Sequence, residues 1–349
     1  MTSIAFIVAY FGKLPDTFAF WLKSCKQNPS IDWLLYTDDT RNFDYPDNVH
    51  IVYTKFTDII ERLQKLYDFP LGIRSPKKLC DFKVAYGELF KEELTGYDFW
   101  GYCDLDILWG DMRSFYTEEL LNKYDKIGFT GNCSIFRNTE SIRTMYRMKN
   151  HREEILYKTY FSDDIMHCFD EVGLNDIFIH NNIPYYSETN FSNLASNRHN
   201  FYMCFLPKKE RHKNKSVVYC WDNGRLFHIY TYKNKICFQE IMFLHFLGSR
   251  RLEVHIDNKT ERFLIVPNEF IPYENLSLKL VKVRSKPHWL RYLYRGLKTK
   301  SIRGKIYWMS NFLKYHYWCI VHCDRFTYWS WTDYDRNKQD RINIINNQE

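Results

Sequence analysis

The stretch WGYCDLDILWGDM, residues 100–112, sets three carboxylates, Asp104, Asp106 and Asp111, inside one of the most apolar runs of the chain. In an extended backbone successive side chains point to opposite faces, so Asp104 and Asp106, separated by Leu105, fall on the same side. Two such carboxylates at close range do not both stay ionised without a cation between or beside them. A hard divalent ion, held by one or two carboxylates and by the oxygens of a bound diphosphate, meets that demand. The competing reading is a solvated turn, because an Asp-x-Asp triplet is common by chance. Context favours the first. FWGYC before the triplet reads as an apolar strand and Gly110 after it as a break. The acids therefore fall at the carboxyl end of a strand, where open α/β sheets bind ligands.

Outward from this stretch, strands and helices alternate. SIAFIVAYFG (3–12) is a short continuous apolar run ended by Gly12, which reads as a buried parallel strand. LPDTFAFWLKSCKQNP (14–29) has helical spacing at Phe18, Trp21, Leu22 and Cys25 and stops at Pro29. IDWLLYTDDT (31–40) and NVHIVYTKF (48–56) read as the next two strands, the former ending in Asp38 and Asp39. FTDIIERLQKLYDF (56–69) and CDFKVAYGELFKEELTGY (80–97) read as helices before the carboxylate strand. After it, YDKIGFTGNCSIFRNT (124–139) reads as a strand pair broken at Gly128 and Gly131, and TESIRTMYRMKNHREEIL (139–156) as a helix capped by Thr139. This alternation predicts an α/β fold with an open, mostly parallel central sheet flanked by helices. From about residue 200 the pieces are short and strand-like, with Asp222-Asn223-Gly224 as a hairpin turn.

The 349 residues, 45% hydrophobic and 26% charged, give length for one large domain with an appendage. Aromatic residues make up 18%, and stacking surfaces of that kind suit sugars, bases and membrane interfaces as well as cores. The net charge of +7 is concentrated after residue 205, in PKKERHKNK and between Lys279 and Lys314, which points to an anionic partner. The ten cysteines form no C-x-x-C pair, and the N-terminus has no charged segment leading into a cleavable apolar one, so a reducing cytoplasm is expected. No run of about eighteen apolar residues occurs, so membrane contact is expected to be peripheral. The basic aromatic stretch 279–331 has helical spacing and the composition of a helix lying on an anionic membrane. Alternatives for it are a helical pair packed on the core, or a nucleic-acid surface. For the latter there is no helix-turn-helix, zinc module or RNA-binding signature.

The carboxylate stretch in this setting resembles the GT-A type of nucleotide-sugar-dependent glycosyltransferase, whose D-x-D motif holds the metal and the donor diphosphate. FDEVGLND (169–176) is similar to the D-Q-x-x-L-N pattern of the retaining group that includes glycogenin and the bacterial lipooligosaccharide galactosyltransferases, with Asp170, Glu171, Leu174 and Asn175 in register. FLHFLGSRRLE (243–253) is similar to that group's H-x-x-G-x-x-K motif at His245, Gly248 and Arg251. The resemblance covers about residues 3–253. It implies Asp104, Asp106 and His245 as ligands of Mn²⁺ or Mg²⁺, and Asp170, Glu171 and Asn175 beside the donor sugar and reaction centre. It places Gly248 with Arg250 and Arg251 on the diphosphate, and Leu105, Asp81 and Lys83 toward the donor. Ala9 and Tyr10 at the end of the first strand, with Asp38 and Asp39 at the end of the second, would meet the nucleotide. Neutral imidazole suits Mn²⁺, and an arginine offsets charge on a departing diphosphate.

The chain departs from the pattern at Glu171, which stands for Gln, at Arg251, which stands for Lys, and at Leu252 and Glu253, which replace Pro-Trp. Glu171 leaves open an inverting enzyme with Asp170 or Glu171 as base. The expectation is a catalytic domain over 1–278, with a nucleotide-sugar half to about 135 and an acceptor-side half from 136, followed by a basic appendage over 279–349. It would move a hexose from a UDP-sugar to a bacterial surface polysaccharide or lipid-linked glycan, on the inner face of the membrane and with no nucleic-acid partner. A phosphoryl or nucleotidyl transferase is the enzymatic rival, and no G-x-x-x-x-G-K-[ST] supports it. A non-catalytic sugar- or nucleic-acid-binding protein is the other.

Overall fold

The computed structural model describes residues 1–187, 191–195, 200–203, 216–247, 252–267, 269–285 and 302. All but residue 302 belong to one compact unit, Met1–Pro207 with Arg211–Pro287. The apolar runs form β1 (Ile4–Tyr10), β2 (Ile31–Thr37), β3 (Val49–Tyr53), β4 (Phe99–Cys103), β5 (Ile107–Trp109), β6 (Lys126–Thr130) and β7 (Cys133–Arg137), with the short β8 (Tyr185–Tyr186) after them. Then come β9 (Phe191–Ala195), β10 (Asn200–Met203), β11 (Val217–Asp222), β12 (Arg225–Tyr232), β13 (Lys235–Glu240), β14 (Phe243–Leu247), β15 (Glu253–Val254), β16 (Arg262–Val266) and β17 (Glu269–Pro272).

The central sheet runs β3-β2-β1-β4-β7-β6-β8. The pairings β3–β2, β2–β1, β1–β4 and β6–β8 are parallel, and β4–β7 and β7–β6 are antiparallel. The architecture is thus mixed α/β with a largely parallel centre, as the sequence predicts. Both faces of β1 are covered. Ile4, Phe6 and Val8 pack with Trp21, Trp33 and Trp109, whereas Ala5 and Ile7 pack on the other side with Phe82, Phe90 and Trp100. Two-sided burial explains why these strands read as continuous apolar runs.

Two expected helices are broken, each for a visible reason. Residues 80–97 form short turns, Leu79–Phe82, the 3₁₀ turn Lys83–Ala85 and Tyr86–Leu89, which let Asp81 and Lys83 both point inward. Over 139–156 the helical pattern yields Glu140–Arg143 and a 3₁₀ turn Met145–Arg147. Thr139 supplies no side-chain cap. Tyr146 and Arg147 both turn onto Glu88, and Asn150 Oδ1 accepts from Arg152 N and Glu154 N at 2.9 Å each, making a turn where spacing alone predicts helix. The next helix begins at Leu156.

A six-stranded sheet, β13-β12-β11-β16-β17-β15, follows the central one. Its first hairpin turns at Asn223 (φ 47°) and Gly224 (φ 87°), the positive pair that a two-residue turn between twisted strands requires. A four-stranded sheet, β10-β9-β14-β5, places β14 beside β5. The helix Leu278–Arg284 is capped by Ser277 and buries Val281 in the core of the six-stranded sheet, so the start of the basic stretch is part of the fold. The rest of 279–331 lies outside the described residues, apart from 285 and 302. No helix among the described residues is long and apolar enough to cross a membrane.

Candidate active site

β1, β2 and β4 run parallel, so their carboxyl ends share one edge of the central sheet, and β4 delivers Asp104 there. Asp104 N donates to Asn132 O at 2.9 Å, which ends the ladder with β7. Beyond it the chain leaves the central sheet and β5 pairs antiparallel with β14 in the register Ile107 opposite His245. Phe246 N donates to Asp106 O at 2.7 Å, closing the corner. This pairing joins residues about 140 positions apart. His245 Nε2 lies 3.2 Å from Asp106 Oδ1 and 3.7 Å from Asp104 Oδ2, and one ligand atom from each of the three falls within 4.8 Å of the others. His245 is buried. Burial alone would lower its pKa, but Asp106 and then Asp104 outweigh that and raise it.

A second carboxylate pair backs this cluster. Lys83 Nζ donates to Asp104 Oδ1 and to Gly131 O, both at 2.7 Å, and lies 3.5 Å from Asp170 Oδ2. Asp170 and Glu171 stand on a single π-helical turn, Phe169–Gly173. Such turns inside helices are frequent at functional sites. Burial raises Asp170 to about 7 against the opposing pull of Lys83. Glu171 is also raised by burial, although Gly131 N donates to its Oε1 at 3.0 Å. Gly131 leaves room for this carboxylate, because a Cβ on it would lie 2.2 Å from Asp170 Oδ2 and one of the two would have to shift. Four carboxyl groups thus face Lys83 and His245. An excess of carboxyl groups over fixed cations, one of them buried and three half-buried, with nitrogen and oxygen donors converging, is the donor chemistry of a divalent-cation site.

The other expected site residues divide. Asn175 is buried, with Nδ2 donating to Phe129 O at 2.7 Å and Oδ1 lacking a hydrogen-bond partner among the described residues. Ala9 and Tyr10 are half-buried at the end of β1. Leu105 packs its side chain into the core, which leaves its backbone alone to meet a donor. Asp81 is engaged within the fold: fully buried, it accepts from His167 N and Phe169 N and pairs with Lys78 Nζ at 2.9 Å. Asp81 therefore holds the segment leading into Asp170, because it accepts from two backbone amides there.

Asp39 is likewise engaged, by Arg41 and by Leu14 N at 2.8 Å, and the Arg41 contact holds it well below the usual carboxylate range. Asp38 is exposed but accepts from Gly12 N at 2.7 Å. These two acids close the loop after β1, where nucleotide contacts are expected from the sequence. Asp111 accepts from Arg113 N and Ser114 Oγ and so orients its own turn. Gly248, Arg250 and Arg251 lie outside the described residues.

Sequence reasoning misses Asn132 and treats Gly131 only as a break. Together they form the two-residue turn between β6 and β7, and the signal for them is a polar Gly-Asn joining two apolar strands. Fold and site define a mixed α/β protein with a carboxylate, lysine and imidazole cluster where its parallel strands end. The chain belongs to a family of unknown function (DUF6625), whose profile matches residues 6–274. No curated protein matches it.

Among solved structures it is similar to the galactosyltransferase LgtC in complex with donor and acceptor sugar analogues, at 12% identity and a TM-score of 0.32, over 57% of this chain and 77% of that one. Mouse xyloside xylosyltransferase 1 in its apo form is 8% identical with a TM-score of 0.34, over 56% of this chain and 88% of that one. The apo-form glycosyltransferase GlyE of Streptococcus pneumoniae TIGR4 is 10% identical with a TM-score of 0.29, over 54% and 46%.

Proposed function

We propose that the protein is a metal-dependent glycosyltransferase of the GT-A type that moves a hexose from a UDP-sugar to a glycan. The observation that carries this reading is the convergence of Asp104, Asp106 and His245 beside Lys83, Asp170 and Glu171. The three-residue donor set fits Mn²⁺ or Mg²⁺, with the imidazole favouring Mn²⁺. Bound there, the ion would act as a Lewis acid on the diphosphate leaving group.

The chain's own groups supply the rest. Lys83 orients Asp104 by direct hydrogen bond and adds a fixed positive charge near the departing phosphate. In the transfer, the acceptor hydroxyl oxygen bonds to the anomeric carbon while the bond from that carbon to the diphosphate breaks, its electron pair going to the phosphate oxygen. In a retaining reaction, favoured by the D-E-x-x-L-N match, the acceptor proton passes to that oxygen. In the inverting alternative Glu171 takes it, being less buried than Asp170. The basic aromatic stretch 279–331 supports an acceptor presented at an anionic membrane surface, a bacterial lipid-linked glycan or surface polysaccharide.

Thermal unfolding tests the donor site. UDP with Mn²⁺ is expected to raise Tm by several degrees, UDP with chelator is not, and Asp104→Ala with Asp106→Ala is expected to abolish the shift. An equal shift in chelator, or in the double variant, contradicts the reading. A screen of nucleotide sugars for Mn²⁺-dependent hydrolysis then identifies the donor.

A further inference from the structure

Asn132 touches both arms of the cluster. Its backbone carbonyl accepts from Asp104 N at 2.9 Å, and its side-chain nitrogen lies 3.1 Å from His245 Nδ1. Thr130 Oγ1 donates to its Oδ1. The side chain is buried, and a buried amide is tolerated only where its hydrogen bonds are made, which here involves the imidazole itself.

The arrangement bears on which ring nitrogen carries the proton. With Nδ1 accepting from the Asn132 amide, a neutral His245 keeps its proton on Nε2, the nitrogen that faces Asp106 and Asp104. To offer the Nε2 lone pair to a cation, the ring must carry its proton on Nδ1 and find an oxygen opposite. Asparagine can supply either partner, because half a turn about its last side-chain bond exchanges NH₂ for C=O at nearly the same point. The Thr130 hydroxyl can follow, donating to Oδ1 in one state and accepting from Nδ2 in the other.

We propose that Asn132 is a positioning residue, an amide switch that sets the His245 tautomer and so makes Nε2 available to a cation. This rests on the reading of Asp104, Asp106 and His245 as a cation site.

The test uses the full chain with ¹⁵N-labelled histidine, first metal-free at pH 8.5 in chelator and then titrated with Mn²⁺. His245 is assigned by its absence in His245→Gln. In the wild type the proton is expected on Nε2. Asn132→Asp, an acceptor only, is expected to move it to Nδ1, and Asn132→Leu, with Asp106 and Asp104 still facing Nε2, is expected to keep it there. Mn²⁺ affinity is expected to fall about 10- to 100-fold in Asn132→Leu and to return to within about threefold of wild type in Asn132→Asp. All three chains keep the backbone bond to Asp104, so a role confined to holding that strand end moves none of these readouts. The same tautomer in all three, or wild-type affinity in Asn132→Leu, overturns the proposal. A wild type that binds no Mn²⁺ removes the cation-site reading, while the tautomer spectra still decide whether Asn132 sets the ring.

Discussion

Two clusters in the same compact unit offer the same kinds of metal ligand, Asp104, Asp106 and His245 in one and Glu253, His255 and Glu269 in the other. They are built differently. His245 is buried on a five-residue strand that is paired on both sides, by β5 and by β9. His255 follows the two-residue edge strand β15, its side chain is 44% exposed, and its Nε2 stands 3.6 Å from Glu253 and 3.7 Å from Glu269. In the first cluster Lys83, Asn132 and the Gly131 turn fix the ligand side chains and bring a second carboxylate pair within reach. An exposed histidine on an edge must first lose its rotamer freedom to bind anything. The ligand types are alike in the two clusters. Strand register and an outer ring of hydrogen bonds set the first apart.

The largest effect is expected at the first cluster. Asp104→Ala with Asp106→Ala is expected to lower sugar transfer on the order of a thousandfold, measured as product from the donor found in the hydrolysis screen. Glu253→Ala with His255→Ala should leave the rate within about twofold, as expected for positions outside the first cluster. Equal losses in both pairs would erase the distinction.

Gly131→Ala tests the outer ring. Since its Cβ would collide with Asp170, transfer should drop roughly a hundredfold, with a stability loss of about 1–3 kcal/mol by urea denaturation. Unchanged transfer would separate Asp170 from the chemistry.

A smaller effect concerns pH. Burial raises Asp170 from 3.8 to about 7, so the folded state holds a proton that the unfolded state releases across that window, and wild-type stability falls as pH rises through it. Asp170→Asn removes the Asp170 share of this dependence and leaves that of Glu171, which burial also raises. In chelator it is expected to be more stable than wild type at pH 8, on the order of 2–4 kcal/mol, with the gap closing toward pH 4. A gap independent of pH would mean that Asp170 is ionised throughout.

Much of the sheet is legible in the sequence because β1 and β4 are buried on both faces, and β2 over its second half, and so appear as apolar runs. The link from Asp106 to His245 is legible only as a motif, since the pairing of β5 with β14 is a long-range register that local spacing does not encode. The broken helices are hidden for a related reason. Residues 79–89 keep helical periodicity, but the buried charges of Lys78, Asp81 and Lys83 demand partners on other segments, and the backbone bends to give them. Asp38, Asp39 and Asp81 carry the right chemistry for donor contacts. Their backbone partners are invisible until the loops are folded.

The central claim is that the Asp104, Asp106 and His245 cluster holds the divalent cation. Mn²⁺ binding to the full chain, followed by the loss of its free-ion paramagnetic resonance signal, tests it most directly. One tightly held ion per chain is expected in wild type and in Glu253→Ala with His255→Ala, and none in Asp104→Ala with Asp106→Ala. An ion that persists in the Asp104/Asp106 variant and disappears in the Glu253/His255 variant would contradict it.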